Sequence, residues 1–600
     1  MRAVRSTLTF ALISMSGLVF SCAEELPSGY GTLQLALASC PSTSGLALDG
    51  YGACGFRLTV YGGTWRDSAP ETVYASDCIE YRGDQVAIRK FPTGDSMTLY
   101  LEMYSDKECT KPRLVGLRGG VTVPEGDASP GVWYVPTFEV GGFKALPTYT
   151  DDARANATKT TCATDADCWK RDAKSGNFLI SPAALCNTKS KQCELPASLF
   201  PLNSGTPRAF HSAVSIGEGR IALVGGLSRE VNDSYLATDD TIEVFDPATM
   251  LWARPVVTGF SQQRFAFSGA VGLGGNRVGV FGGARQMSVS LGDGAGGTST
   301  TAYFKLPATP ATGTDVVSDL AFVVDLGTAT ATTTKLSSAR FRPHAARVDA
   351  GGSRVLVAGG AIASGTGTAP VESVDLCDVS VSPPKCASAP DVLKAGRSGH
   401  CGLCLDAAGG SGDCKRLLLF GGTAADKGDS TIGELYEAGK FTAIPWKPGA
   451  SLGAIGNPMC AASGAQTYLL GGASASTAPA DITPKAFTLP VGKLEVVAAD
   501  LTNTAKVAAL ARVHGATTVL SDGRVLVTGG VDAGGKPTAS AYLVKGGDLT
   551  EQKALQVARF GHTATLITTG RLKGAVLVAG GFTLKGGKLA LTDGAEIYVP

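Results

Sequence analysis

Seven Gly-Gly pairs, at 225–226, 282–283, 359–360, 421–422, 471–472, 529–530 and 580–581, divide the last two thirds of this sequence into units. Successive pairs stand 57, 77, 62, 50, 58 and 51 residues apart. An apolar run precedes each one: RIALVGG, RVGVFGG, RVLVAGG, RLLLFGG, TYLLGG, RVLVTGG and AVLVAGG. The clearest unit, Arg512 to Gly530, reads as strand, tight turn and strand. Its Ala516 to Leu520 is small and β-branched, Ser521-Asp522-Gly523 is turn chemistry, and Arg524 to Thr528 is a largely apolar run. A Gly-Gly pair ending such a hairpin marks backbone that takes positive φ or is approached closely.

A third strand follows most pairs, as in TIEVFDP (241–247), VESVDL (371–376), GELYE (433–437), SAYLV (540–544) and AEIYVP (595–600). LWARPVV (251–257) supplies a fourth. Four short antiparallel strands per unit, seven times over, predict an all-β chain whose residues 195–600 form a seven-bladed β-propeller. The Gly-Gly pairs, RAFHS (208–212), RSGHC (397–401) and RFGHT (559–563) before them, and FDPATMLW (245–252) after them resemble the kelch family. The resemblance covers the seven units and implies the same propeller. Units two and five depart from it: RFAFSG (264–269) has Phe267 in place of His, and IGNPMC (455–460) lacks both Arg and His. The last unit reaches Pro600 after its third strand, so LPASLFPLN (195–203) is expected to supply its fourth. That pairing would remove two exposed strand edges.

The first 21 residues read as an export leader. Arg2 and Arg5 precede an apolar run from Leu8 to Phe20, too short to span a bilayer. Val19-Phe20-Ser21-Cys22 resembles the lipobox of bacterial lipoproteins, with Phe20 atypical at its position. The resemblance implies cleavage before Cys22, diacylation of its thiol and a membrane anchor. Ala23 after the cysteine implies the outer membrane of a Gram-negative bacterium. The chain holds 15 cysteines, and removing Cys22 leaves 14, an even number suited to disulfides in an oxidising compartment.

Residues 22–147 read as a β-sandwich, immunoglobulin-like or transthyretin-like. GTLQLALA (31–38), GFRLTVYGG (55–63), QVAIRKF (85–91), MTLYLEMY (97–104) and VWYVPTFEV (132–140) alternate apolar and polar residues between turns. Cys40, Cys54, Cys78 and Cys109 fall here and allow three pairings. Residues 148–194 read as a polar linker followed by a disulfide-rich segment holding Cys162, Cys168, Cys186 and Cys193. Zinc would favour closer Cys pairs, and Asp165 and Asp167 alone are weak calcium ligands.

Charge is nearly balanced, 53 basic against 52 acidic residues, so no basic field for nucleic acid exists. All five histidines, His211, His344, His400, His514 and His562, fall at one repeat position, give or take a residue. Spread around a ring they read as structural, with Arg208, Arg397 and Arg559 as struts and Glu243, Glu372, Glu434 and Glu596 as recurring third-strand residues. No catalytic, metal or cofactor residue is expected. In the ring, Cys377 with Cys386 and Cys404 with Cys414 each bracket a short loop, and Cys401 and Cys460 fall on neighbouring blades. Cys401 and Cys404 also form a CxxC, which a disulfide reading absorbs. The connections between second and third strands vary most, above all the one from Ala284 to about Asp319. The expected function is binding of a protein or glycan through these loops, without a cofactor. The competing class is a carbohydrate-active enzyme on the same ring, galactose-oxidase-like or a sugar epimerase.

Overall fold

Every residue of the seven Gly-Gly pairs takes positive φ, the first glycine between 54° and 70° and the second between 91° and 121°. Close approach explains the choice as much as conformation. A Cβ on Gly529 would lie 2.5 Å from the carbonyl oxygen of Arg559 in the next unit. The second glycine of six pairs donates its N–H to that same kind of carbonyl: Gly226 to Phe265, Gly283 to Arg340, Gly360 to Arg397, Gly472 to Arg512, Gly530 to Arg559, and Gly581 to Arg208, at 2.6–2.9 Å. The last of these runs from the seventh unit to the first.

This geometry comes from a computed structural model. It describes residues 4–8, 30–36, 55–80, 86–123, 132–135, 137–146, 161, 185–187 and 191–194, and residues 206–600 with breaks at 232–233, 239–241, 261–264, 292–302, 308–315, 350, 365–366, 407–413, 425–430, 446–454, 465, 475–485, 491–496, 499–507 and 547. The chain is all-β and built from many small antiparallel sheets. Among the described residues no helix is long and apolar enough to cross a membrane.

Each Gly-Gly unit yields a sheet of four strands. The first strands are Ser212–Ser215, Gly269–Gly272, His344–Arg347, Cys401–Cys404, Met459–Ser463, Ala516–Val519 and Thr563–Leu566. Each pairs with the apolar strand before its Gly-Gly pair, which pairs in turn with the third strand. First strands of successive sheets touch, and the seventh touches the first. The middle strands are buried on both faces, as in Ile221–Val224 and Val576–Ala579, which explains their uninterrupted apolar runs.

Residues 195–203, expected to supply the fourth strand of the seventh sheet, lie outside the described residues. Gly142–Ala145 occupies that edge, antiparallel to Ala595–Val599, with Gly142 opposite Val599 and Ala145 opposite Glu596. Phe143 is buried there against the ring of Tyr598, centroids 4.8 Å apart. The strand belongs to the stretch read as the end of the sandwich. Four alternating residues carry no mark of the partner strand some 450 residues away, so the pairing was illegible.

The N-terminal region forms two sheets. One joins Val86–Pro92, Tyr30–Ala36, Val4–Leu8 and Val132–Val135 in that order; the other runs Thr137–Glu139, Pro112–Val123, Gly94–Tyr104, Gly55–Tyr61 and Thr72–Ala75, with Ile79–Glu80 paired to Gly55–Tyr61. Val4–Leu8 lies inside the segment read as a leader and pairs parallel with both its neighbours. Phe91 from the first sheet packs into the core of the second with Phe56, Leu58, Leu99 and Leu101. Pro112–Val123 was missed from sequence because Gly116, Gly119 and Gly120 interrupt its apolar rhythm. Gly119 has a specific cause: a Cβ there would collide with the carbonyl of Ala248 in the first repeat sheet. This region is docked on the repeat sheets as well as linked to them. Tyr61, Tyr100, Leu117 and Phe138 share one core with Leu223, Phe245, Trp252 and Leu577. Arg66 adds ion pairs to Asp246 at 2.9 Å and Glu218 at 3.1 Å.

Sulfurs stand at bonding distance in four pairs: Cys78 with Cys109, Cys377 with Cys386, Cys401 with Cys460, and Cys404 with Cys414. The Cys401–Cys460 pair joins the fourth and fifth sheets. Cys186 and Cys193 face each other in a two-stranded ladder. Cys22, Cys40, Cys54, Cys162 and Cys168 lie outside the described residues, as do Asp165, Asp167 and the linker 148–160.

Candidate functional site

Just before each first strand, one residue per sheet takes positive φ: Phe210, Phe267, Arg342, Gly399, Asn457, His514 and Gly561, all between 54° and 66°. Backbone hydrogen bonds join them from sheet to sheet at five of the seven steps. Phe210 donates to Gly561, Phe267 to Phe210, Arg342 to Phe267, Asn457 to Gly399, and Gly561 to His514, at 2.6–3.0 Å. Left-handed backbone costs a non-glycine residue of order 1 kcal/mol or more, so five such residues in one circle mark an over-determined spot. The preceding residue of each unit bridges to the start of the connection between second and third strands, as Ala209 does to Leu227 and Phe341 to Ala361. Those connections therefore all leave beside this circle.

Two glycines make room inside it. A Cβ on Gly561 would meet the ring of Phe210, and one on Gly399 would meet the guanidinium of Arg342 at 3.0 Å. Arg342 thus reaches across the fourth sheet and donates to Oδ1 of Asn457 in the fifth. Its guanidinium carbon lies 5.9 Å from the ring centre of Phe267 and 5.5 Å from that of Phe304. Phe304 also stands edge-on to His514 at 5.1 Å and to Phe210 at 4.9 Å.

Phe304 comes from the long connection of the second unit. With Gln286–Ser290 and Tyr303–Lys305 this connection forms two strands of an added sheet, completed by Leu227–Val231 and Ser234–Ala237 from the first unit. Met287, Val289 and Tyr235 join Phe267, Phe560 and Phe582 in a core over the circle. A loop expected to be a free binding surface is therefore partly a lid; residues 292–302 and 308–315 of it lie outside the described residues.

The five histidines separate into three positions. His211, His400 and His562 follow the circle directly, and each ring abuts the first glycine of the preceding Gly-Gly pair, Gly580, Gly359 and Gly529 respectively. His211 shares a hydrogen bond with Thr563 and His562 one with Thr528, each 2.9 Å and each to the neighbouring sheet. His514 is in the circle itself. His344 comes one residue later than the first group, and its ring lies over Gly402 of the next sheet. Phe267 accordingly aligns with Phe210, and Ser268 is the residue in the place of His211. Burial is the main force holding all five below the usual imidazole value, His344 at about 4 and His562 at about 3, the latter also repelled by Arg559 and Arg512.

These depressed values predict acid lability. A histidine whose folded pKa lies below its unfolded value of about 6.5 contributes fully above that pH, and the contribution is lost as pH falls toward the folded value. The unfolding midpoint should therefore drop between pH 6.5 and 4, and His344→Asn should flatten that slope. An identical slope in the variant would remove His344 from the account.

The arginine struts are buried ion pairs. Arg208 meets Glu243 at 2.8 Å, Arg340 meets Asp375 at 2.6 Å, Arg397 meets Glu434 at 3.0 Å and Arg559 meets Glu596 at 2.7 Å, all at most 1% exposed. The pair of the third unit corrects the expectation: Asp375, not the exposed Glu372, holds the acidic place, and Arg340 was not recognised at all. In the second sheet Phe265 and Phe322 take the equivalent positions, ring centres 5.0 Å apart. In the sixth, Arg512 bonds Ser540 at 2.8 Å and stacks 5.3 Å from Tyr542.

The CxxC residues face different partners, Cys460 and Cys414. Cys404, Asp406 and Cys414 form the one group among the described residues spaced to hold a metal ion, but its two sulfurs are at bonding distance from each other. No protein-family model matches the chain, and no curated protein matches it.

Proposed function

We propose that the seven four-stranded sheets are the blades of a closed kelch-type propeller, and that the protein is an exported, lipid-anchored binding module of a Gram-negative outer membrane. The circuit of first-strand contacts and the Gly581–Arg208 hydrogen bond support closure. The lipobox-like Val19 to Cys22 supports the anchor, and cleavage there removes Val4–Leu8, so that strand's pairing belongs to the precursor.

Binding, to protein or glycan, rests on one observation. Everything that repeats is scaffold, whereas the connections leaving the circle differ from unit to unit: a shared sheet in units one and two, hairpins Ala361–Ser364/Gly367–Pro370 in unit three and Phe582–Lys585/Lys588–Leu591 in unit seven, and a tight turn after Val531–Asp532 in unit six. Loops of differing shape on a repeated frame are where recognition is placed. The unit-seven hairpin offers exposed Leu584 beside Lys585 and Lys588 at its tip. A glycan and surface-protein screen with the full chain, repeated with Leu584→Asp/Lys588→Glu and with a matched charge change on the fourth strand Thr330–Lys335, tests this face. The hairpin variant should weaken the interactions detected and the fourth-strand variant should not. Equal binding by all three would remove the face from the proposal.

A further inference from the structure

Arg342 is a cation in the innermost circle of the repeat sheets whose contacts among the described residues include no carboxylate. Its side chain meets the Asn457 amide and the faces of Phe267 and Phe304, and burial lowers its pKa to about 10. Arg208, Arg340, Arg397 and Arg559 each face a buried carboxylate, whereas Arg342 shares with Arg512, which bonds Ser540 and stacks on Tyr542, a set of neutral and aromatic contacts. Desolvating a guanidinium without a counter-charge is costly, and cation–π contacts offset only part of that cost.

Among the described residues, the surroundings of Arg342 share its sign or are neutral. His514 and His400 are each close enough to feel its charge, and His344 neighbours His400. Arg342, Asn457 and His514 retain partial exposure although they lie in the innermost circle, so they border accessible space, whereas the rings of His344 and His400 pack on Gly402 and Gly359. Phe304, Phe210 and Phe267 wall this space on the side of the added sheet. A planar fork of N–H donors, an amide and an imidazole around a partly desolvated space is the donor set that suits a small oxyanion, carboxylate or phosphate.

We propose that this axial cluster is an anion-binding site, in which Arg342 provides the charge, Asn457 orients the guanidinium, and His514 completes the lining. The ligand is a small oxyanion, free or as the terminal group of a larger molecule. The site is separate from the hairpin face, so either reading can fail alone.

Titration calorimetry of the full chain with sulfate, inorganic phosphate and acetate, each at constant ionic strength, tests the proposal. Saturable binding of at least one anion is expected. Arg342→Met should weaken it by roughly tenfold or more, and Arg342→Lys, which keeps charge but loses the fork, by less. A purely structural arginine would behave differently in thermal unfolding: its removal would lower the midpoint. Here Arg342→Met should leave the anion-free midpoint unchanged or higher, and should abolish the rise that saturating anion gives the parent chain. Absence of saturable binding by the parent chain overturns the proposal, as does binding that Arg342→Met leaves intact.

Discussion

Replacing Glu434 by alanine should destabilise the chain by about 3–5 kcal/mol, the usual consequence of stripping a buried charge of its partner. Glu434 is fully buried and accepts from Arg397 at 3.0 Å and from the backbone N–H groups of Lys394 at 2.7 Å and Ala395 at 3.2 Å. It therefore fixes the chain entering the fourth sheet as well as neutralising the arginine. Adding Arg397→Met to Glu434→Ala should restore part of the lost stability, because the orphaned guanidinium goes while the two amides stay unpaired. The second sheet already illustrates the apolar solution with Phe265 and Phe322. Denaturant midpoints of both variants measure this. A double variant less stable than the single one would mean that Arg397 acts through its bond to the Gly421 carbonyl, 2.8 Å away, more than through its charge.

Phe143→Asp should have an effect of similar size, since truncating a buried phenylalanine costs about 3–5 kcal/mol even without introducing a charge. Phe143 is 4% exposed and packs with Leu526, Leu543, Val576, Val578 and Tyr598. The strand it anchors is held at both ends, by Gly141 N–H on Val599 O and Leu146 N–H on Ala595 O, each 2.7 Å. Hydrogen exchange should show peptides covering 141–146 and 595–599 losing protection together in the variant, while the fourth sheet keeps its own. Loss confined to 141–146 would reduce the strand to an accessory.

How much of this was legible depended on the range of the interaction. The strands of the units, their Gly-Gly ends and the Cys377–Cys386 and Cys404–Cys414 pairs are local, and alternation, turn residues and short spacing disclose them. The Cys401–Cys460 pair was readable because both cysteines fall on the first strands of adjoining units. Gly142–Ala145 was not, because its partner is at the far end of the chain. Phase errors of a residue or more hid the axial cluster. Treating His514, His344 and His400 as one position obscured that His514 belongs to the inner circle. Treating Glu372 as the acidic partner obscured Arg340–Asp375. Arg342 went unnoticed because nothing in its local sequence, RFRPHA, distinguishes a strut from a cation without a counter-charge. The comparison that exposes it is between units, and it needs the register.

Closure of the ring is the central claim, and a cross-link tests it most directly. Thr569 donates to the Glu218 carbonyl at 3.2 Å, although the two residues are 351 apart in sequence and belong to the seventh and first sheets. A chain carrying Glu218→Cys and Thr569→Cys should cross-link within one molecule, through a short bifunctional maleimide, as fully as a control pair at Arg220 and Asn276 on the adjoining first and second sheets. Efficient linkage of the control with none between 218 and 569 would contradict a closed ring.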